Sequence, residues 1–172
     1  MIVPKKRVAV LISGRGSNME ALIEAAKDSA YPAEIAVVIS NKPEAAGLSF
    51  VRSHGIEAHA ISHKRFESRE AHDAAIDAAL TKAGAELVCL AGYMRIMTPG
   101  LIEKWAGRMI NIHPSLLPAF PGLHTHERAL EAGVAEHGCT VHFVTTGVDE
   151  GPVIAQARVP VLPGDTAEAL AA

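Results

Sequence analysis

The sequence predicts an α/β fold in which a mostly parallel sheet is covered by helices. Short apolar runs alternate with segments of helical period along the whole chain. The strongest run, Val8-Ala9-Val10-Leu11-Ile12, is apolar at every position, as in a strand buried on both faces. Turn signals built on glycine, proline, serine and asparagine separate these runs.

The elements follow in order. Strand 8–12 enters the turn Ser13-Gly14-Arg15-Gly16-Ser17-Asn18, and Met19, Leu22, Ile23 and Ala26 then share one helical stripe. Ser17 or Asn18 is the expected N-cap of that helix. Residues 35–39 form the second strand, closed by Ser40-Asn41-Lys42-Pro43. A helix over 44–53 stops at Gly55. Residues 56–61 read as a weaker third strand, and 66–83 as a helix with Ile76, Ala79, Leu80 and Ala83 on one side. Residues 87–91 are the fourth strand. Thr98 and Pro99 open a short helix to Trp105, with threonine as N-cap and proline in the first turn. Residues 109–113 are the fifth strand. The loop after it is stiffened by Pro114, Pro118 and Pro121. A helix over 125–135, strands over 140–145 and 153–159, and a capping-box variant at Asp165-Thr166-Ala167-Glu168 complete the pattern. With seven strands and no repeat or linker, residues 1–172 are expected to form a single domain.

Composition narrows the function classes. A net charge of −3 with no long basic run argues against a nucleic-acid binder. No segment is long enough to span a membrane, and the basic start 5–7 lacks the apolar stretch of a signal peptide. The two cysteines, Cys89 and Cys139, form no CxxC pair, and a reduced cytoplasmic protein is expected. Nine histidines invite a metal hypothesis, but none has ligand spacing, so no metal is expected.

Two segments carry chemistry. The first turn fails the dinucleotide fingerprint, because Met19 stands where the third glycine belongs, and it lacks the Gly-Lys-Ser/Thr of a P-loop. It is still a strand, a glycine-bearing turn and a helix N-terminus, which favours an anion. The plainer reading, a tight strand-to-helix turn, is equally compatible. The second segment is Asn111-Ile112-His113-Pro114. Residues two apart on a strand share a face, and the proline holds His113 extended. Asn111 and His113 therefore project together from a strand tip, where open α/β sheets bind ligands. An amide donor beside an imidazole suits a reaction that builds negative charge on a carbonyl oxygen. Asp149 lies in a turn-rich loop after a later strand. Adjacent to His113, it would favour the imidazolium and orient the ring. His124, His126, His137 and His142 carry no spacing signal.

Several stretches together resemble the glycinamide ribonucleotide transformylase family of the formyltransferase superfamily. They are Ile12 to Asn18, Ser40 to Lys42, Leu90 to Ile96, Asn111 to Pro118, Pro121 to His126 and Val141 to Val144, in the family's order. The resemblance implies a Rossmann-like, doubly wound formyltransferase fold with a mostly parallel seven-stranded sheet and helices on both faces. It implies formyl transfer from 10-formyltetrahydrofolate, a co-substrate, to the amine of glycinamide ribonucleotide in purine biosynthesis. Gly16, Ser17 and Asn18 would hold the substrate phosphate. Arg69, Met94, Arg95, Ile96, Met97, Asn111 and the loop Thr145, Thr146, Gly147, Val148 and Asp149 would contact the folate. Asn111, His113 and Asp149 would be catalytic. Family members continue beyond residue 172, so a C-terminal segment is expected to be missing, and a homodimer is left open. The rivals are formyltetrahydrofolate deformylase, which gives the formyl group to water, and a catalytically silent folate- or nucleotide-binding module.

Overall fold

The computed structural model describes residues 3–172. Its strands order as β3-β2-β1-β4-β5-β6-β7 in one seven-stranded sheet. By internal contacts the chain divides into two compact units, one ending at Met109 and one running Ile110–Ala172.

In the first unit, β1 (Lys6–Ile12) pairs in parallel with β2 (Ala33–Ser40) and with β4 (Leu87–Leu90), and β2 pairs in parallel with β3 (Ala58–Ala60). Val8 to Ile12 are all buried, as the unbroken apolar run requires. Burying each such valine, leucine or isoleucine contributes about 1.5–3 kcal/mol. Val8, Val10 and Ile12 pack with Met19 and Ile23 of α1 (Ser17–Ala26) and with Val38 and Val51. Val51 lies on α2 (Ala46–Ser53). The helix α3 (Arg69–Lys82) buries Ile76 and Leu80, and α4 (Pro99–Lys104) follows Thr98. Trp105 Nε1 donates to Asp77 Oδ1 at 2.9 Å, and Lys104 pairs with the other carboxylate oxygen. Cys89 is half-buried, and burial pushes its thiol up to about 11.

In the second unit, β6 (Glu136–Phe143) pairs antiparallel with β5 (Met109–His113) and with β7 (Val153–Pro160). α5 (Thr125–Ala132) and α6 (Ala167–Ala171) touch one another.

Several expectations move. The cap of α1 is Gly16, in the left-handed region at φ 71°, so Ser17 is already helical. The third strand shrinks from six residues to Ala58–Ala60. Residues 66–68 are not helical, because a 3-10 turn at His63–Arg65 ends in extended Phe66 and Ser68 caps α3 by accepting from Ala71 N. α5 stops at Ala132, where Gly133 (φ 67°) turns the chain. β6 starts at Glu136 rather than 140 and ends at Phe143 rather than 145. The intrinsic preference of Glu136, His137 and Gly138 is against strand, but pairing with β7 overrides it. A Cβ on Gly138 would lie 1.9 Å from Ala157 O, so close strand approach demands glycine there. The final helix is capped by Thr166, which accepts from Ala169 N, rather than by Asp165. Asp165 instead accepts from Leu162 N. Thr98 precedes α4 as expected, but its hydroxyl donates to Asp73 and does not cap the helix. No described helix is long and apolar enough to cross a membrane.

Candidate active site

The first unit holds an open cleft of about 340 Å³ lined by Ser13, Gly14, Arg15, Gly16, Ser17, Asn18, Lys42, Ala91, Gly92 and Met94. Its wall is the turn between β1 and α1. A Cβ on Gly16 would stand 3.1 Å from Met19 Cε and 3.2 Å from Ile12 Cγ2, in a backbone region that side chains avoid. The turn is braced from behind by α2. Gly47 N donates to Gly14 O, and a Cβ on Gly47 would lie 2.6 Å from Arg15 O. No side chain caps α1, so its first amides, at Ser17 and Asn18, are left for another acceptor. Arg15 and Lys42 add two cationic side chains to the lining.

The same unit carries five of the residues expected to contact the folate, Arg69 and Met94 to Met97. Met94 and Ile96 are 60% and 64% exposed, whereas Met97 is buried. Arg95 is half-buried, and its Nε is buried without a hydrogen-bond partner among the described residues. Arg69 is exposed in the first turn of α3.

The second unit gathers the polar side chains of the strand tip. His113 and His142 are buried, and Asp149 is nearly so, with its side chain 11% exposed. His113 Nδ1 lies 3.4 Å from Asp149 Oδ1, and His113 Nε2 lies 3.0 Å from Phe120 O. The Phe120 carbonyl can only accept, so Nε2 carries a proton there. Asn111 does not touch Asp149 directly. Its Nδ2 lies 3.2 Å from His142 Nε2, and His142 Nε2 lies 4.0 Å from Asp149 Oδ1. His142 Nδ1 donates to Phe143 O at 3.0 Å, which leaves Nε2 as the acceptor for the Asn111 amide.

Two loops set this geometry. The loop over 114–122 is pinned by buried Thr140, which donates to Ser115 O and accepts from Leu117 N and Gln156 Nε2. Asp149 sits at φ 55°, an uncommon region that aspartate tolerates better than most residues. Its Oδ2 accepts Gly122 N at 2.9 Å, so the carboxylate also ties the two loops together. A Cβ on Gly151 would lie 1.6 Å from Phe143 O, so this loop closes tightly on the end of β6. Thr145, Thr146 and Val148 are exposed and Gly147 is half-buried in the same loop.

His142 was not singled out from the sequence. The signal that finds it is ladder register, since His142 pairs with Asn111 across β5 and β6. The Phe120 carbonyl and the Gly122 amide are backbone groups and leave no mark on residue identity. Among the described residues, no three histidine, cysteine, aspartate or glutamate side chains converge as metal ligands.

A family model described as formyl transferase matches residues 6–172. The chain is 48% identical over 165 residues to the phosphoribosylglycinamide formyltransferase of Escherichia coli (strain K12), covering 96% of this chain and 78% of that protein. It is 56% identical over 169 residues to the trifunctional purine biosynthetic protein adenosine-3 of Drosophila pseudoobscura pseudoobscura, covering 97% of this chain but only 12% of that protein's length. Among solved structures, it matches the phosphoribosylglycinamide formyltransferase from Brucella melitensis at 56% identity and TM-score 0.93, covering 97% of this chain and 86% of the other. Glycinamide ribonucleotide transformylase 1 from Symbiobacterium toebii matches at 50% identity and TM-score 0.93, covering 97% and 79%.

Proposed function

The chain belongs to the formyl transferase family, among its phosphoribosylglycinamide formyltransferases of purine biosynthesis, and from that premise we propose how it works: the formyl group of 10-formyltetrahydrofolate passes to the amine of glycinamide ribonucleotide through Asn111, His113 and Asp149. The observation that carries this reading is the His113–Asp149 contact at 3.4 Å beside the Asn111 amide.

The substrate phosphate meets the Ser17 and Asn18 amides behind Gly16, where the dipole of α1 adds to the attraction. Met94 to Met97 and Arg69 are the folate contacts we assign to the first unit, and the loop from Thr145 to Asp149 those we assign to the second. Holding both substrates removes much of the entropic barrier to their encounter. The amine nitrogen attacks the formyl carbon, and the carbonyl oxygen gains negative charge. Asn111 donates to that oxygen, His113 Nε2 donates to it in exchange for its bond to the Phe120 carbonyl, and Asp149 beside Nδ1 orients the ring. The bond from the formyl carbon to the folate nitrogen then breaks. The proton lost by the amine ends on that nitrogen, leaving formylated nucleotide and tetrahydrofolate. No metal takes part in this scheme, and a cytoplasmic setting suits its free thiols and small soluble substrates.

An assay with 10-formyltetrahydrofolate and glycinamide ribonucleotide tests it by comparing formyl-amide product with free formate. Formyl amide formed in step with tetrahydrofolate supports the reading. Formate alone would assign the chain to deformylation, and binding with neither product would leave a silent binding module.

A further inference from the structure

Ser13 is buried where β1 ends, and its hydroxyl is used in both directions. Oγ donates to Asn41 Oδ1 at 2.6 Å and accepts from Met94 N at 2.8 Å. Asn41 follows β2 and Met94 lies beyond β4, the two strands that flank β1. Past the strand ends no ladder holds these three backbones together, so one hydroxyl closes the gap between them. Asn41 is itself buried, and because Met94 N can only donate, the hydroxyl hydrogen is left for Asn41 Oδ1. The far end of the Met94–Met97 stretch is anchored separately. Thr98 N and Oγ1 donate to buried Asp73 Oδ2 at 2.6 and 2.8 Å. Ser13 is thus the side-chain anchor at the near end, and it belongs to the turn that walls the cleft.

We propose that Ser13, held by Asn41, is a positioning residue that couples the phosphate-binding turn to the folate-contacting loop, so that occupancy of one tightens the other. This rests on the substrate assignments made above. An anion on the Ser17 and Asn18 amides orders the turn, the Ser13 hydroxyl carries that order to Met94 N, and the loop enters its binding shape at lower entropic cost. Linkage makes the effect reciprocal, and couplings of this kind typically amount to about fivefold or more in affinity.

Calorimetric titration of the full chain tests it. The probe is tetrahydrofolate, which carries no formyl group and so cannot react, with and without saturating glycinamide ribonucleotide. The nucleotide is expected to tighten tetrahydrofolate binding about fivefold or more in the unmodified chain. In Ser13→Ala that ratio is expected to fall below about twofold, and Ser13→Thr, which keeps the hydroxyl, is expected to restore it. Asn41→Ala, which frees the hydroxyl without removing it, is expected to lower the ratio as well and serves if Ser13→Ala does not fold. A purely structural role would weaken both ligands and leave the ratio unchanged. An unmodified chain that binds both ligands without coupling, or a Ser13→Ala chain with the full ratio, overturns the proposal alone. An unmodified chain that binds neither ligand overturns the substrate assignments and the proposal with them.

Discussion

The cleft of the first unit and the histidine cluster of the second are built from different material. The cleft presents backbone: amides behind a left-handed Gly16, braced by a second glycine at Gly47, with side chains mainly in support. The cluster presents side chains: Asn111 and His113 from one strand, His142 from its neighbour and Asp149 from a loop, each fixed by contacts to the others or to a carbonyl. Backbone suits a ligand group whose charge does not change, because amides cannot be retuned. Side chains suit an atom whose charge grows during a reaction, because they can supply and receive protons.

That contrast can be broken at either end. The largest effect is expected from Asn111→Ala. Turnover should fall about 100- to 1000-fold, with the melting temperature little changed, as steady-state kinetics and a thermal melt would report. Unaltered turnover would remove Asn111 from the chemistry. Next comes Gly151→Ala, whose methyl group would collide with Phe143 O and push the Asp149 loop outward. A displacement of about 1 Å can cost about 100-fold in rate, and nucleotide affinity should be spared. Equal loss of both would show that the two regions are not separable. Gly16→Ala should do the converse. The left-handed backbone disfavours alanine by about 1–2 kcal/mol, so nucleotide KM should rise roughly tenfold while kcat holds. The smallest effect lies in the scaffold. Burial raises the Asp77 carboxyl, but hydrogen bonds from Lys104 and Trp105 outweigh it and hold the group below its ordinary value. A lowered carboxyl stabilises above its unfolded pKa, and that stability is lost as pH falls through its folded value. Asp77→Asn should therefore lower stability by about 1 kcal/mol at pH 7, and the gap should close in acid below about pH 4. A gap independent of pH would mean that the carboxylate charge contributes nothing.

Legibility in the sequence follows the same division. The parallel core was readable because Val8 to Ile12 leave no polar alternative. The cleft was readable because a glycine at a strand-to-helix turn is a statement about backbone angles. Asn111 and His113 were readable because a spacing of two on a strand has one meaning. His142 was not, since its place depends on the register of β6 against β5, and β6 itself begins at residues of poor strand preference. The partnership of Asp149 with His113 spans a long stretch of chain and was an expectation that spacing could not supply. The Ser13 hydroxyl was invisible for a further reason. A serine in a turn has many local uses, and only the assembled strand ends reveal that this one reaches Asn41 and Met94.

Asp149 occupies a left-handed backbone angle. A residue with a side chain held there costs of order 1–3 kcal/mol, and glycine would relieve much of that cost. Natural variation screened only for heat tolerance would therefore drift at position 149 away from aspartate. A library sorted first by thermal survival and then by catalysis should find these two demands opposed at this one codon.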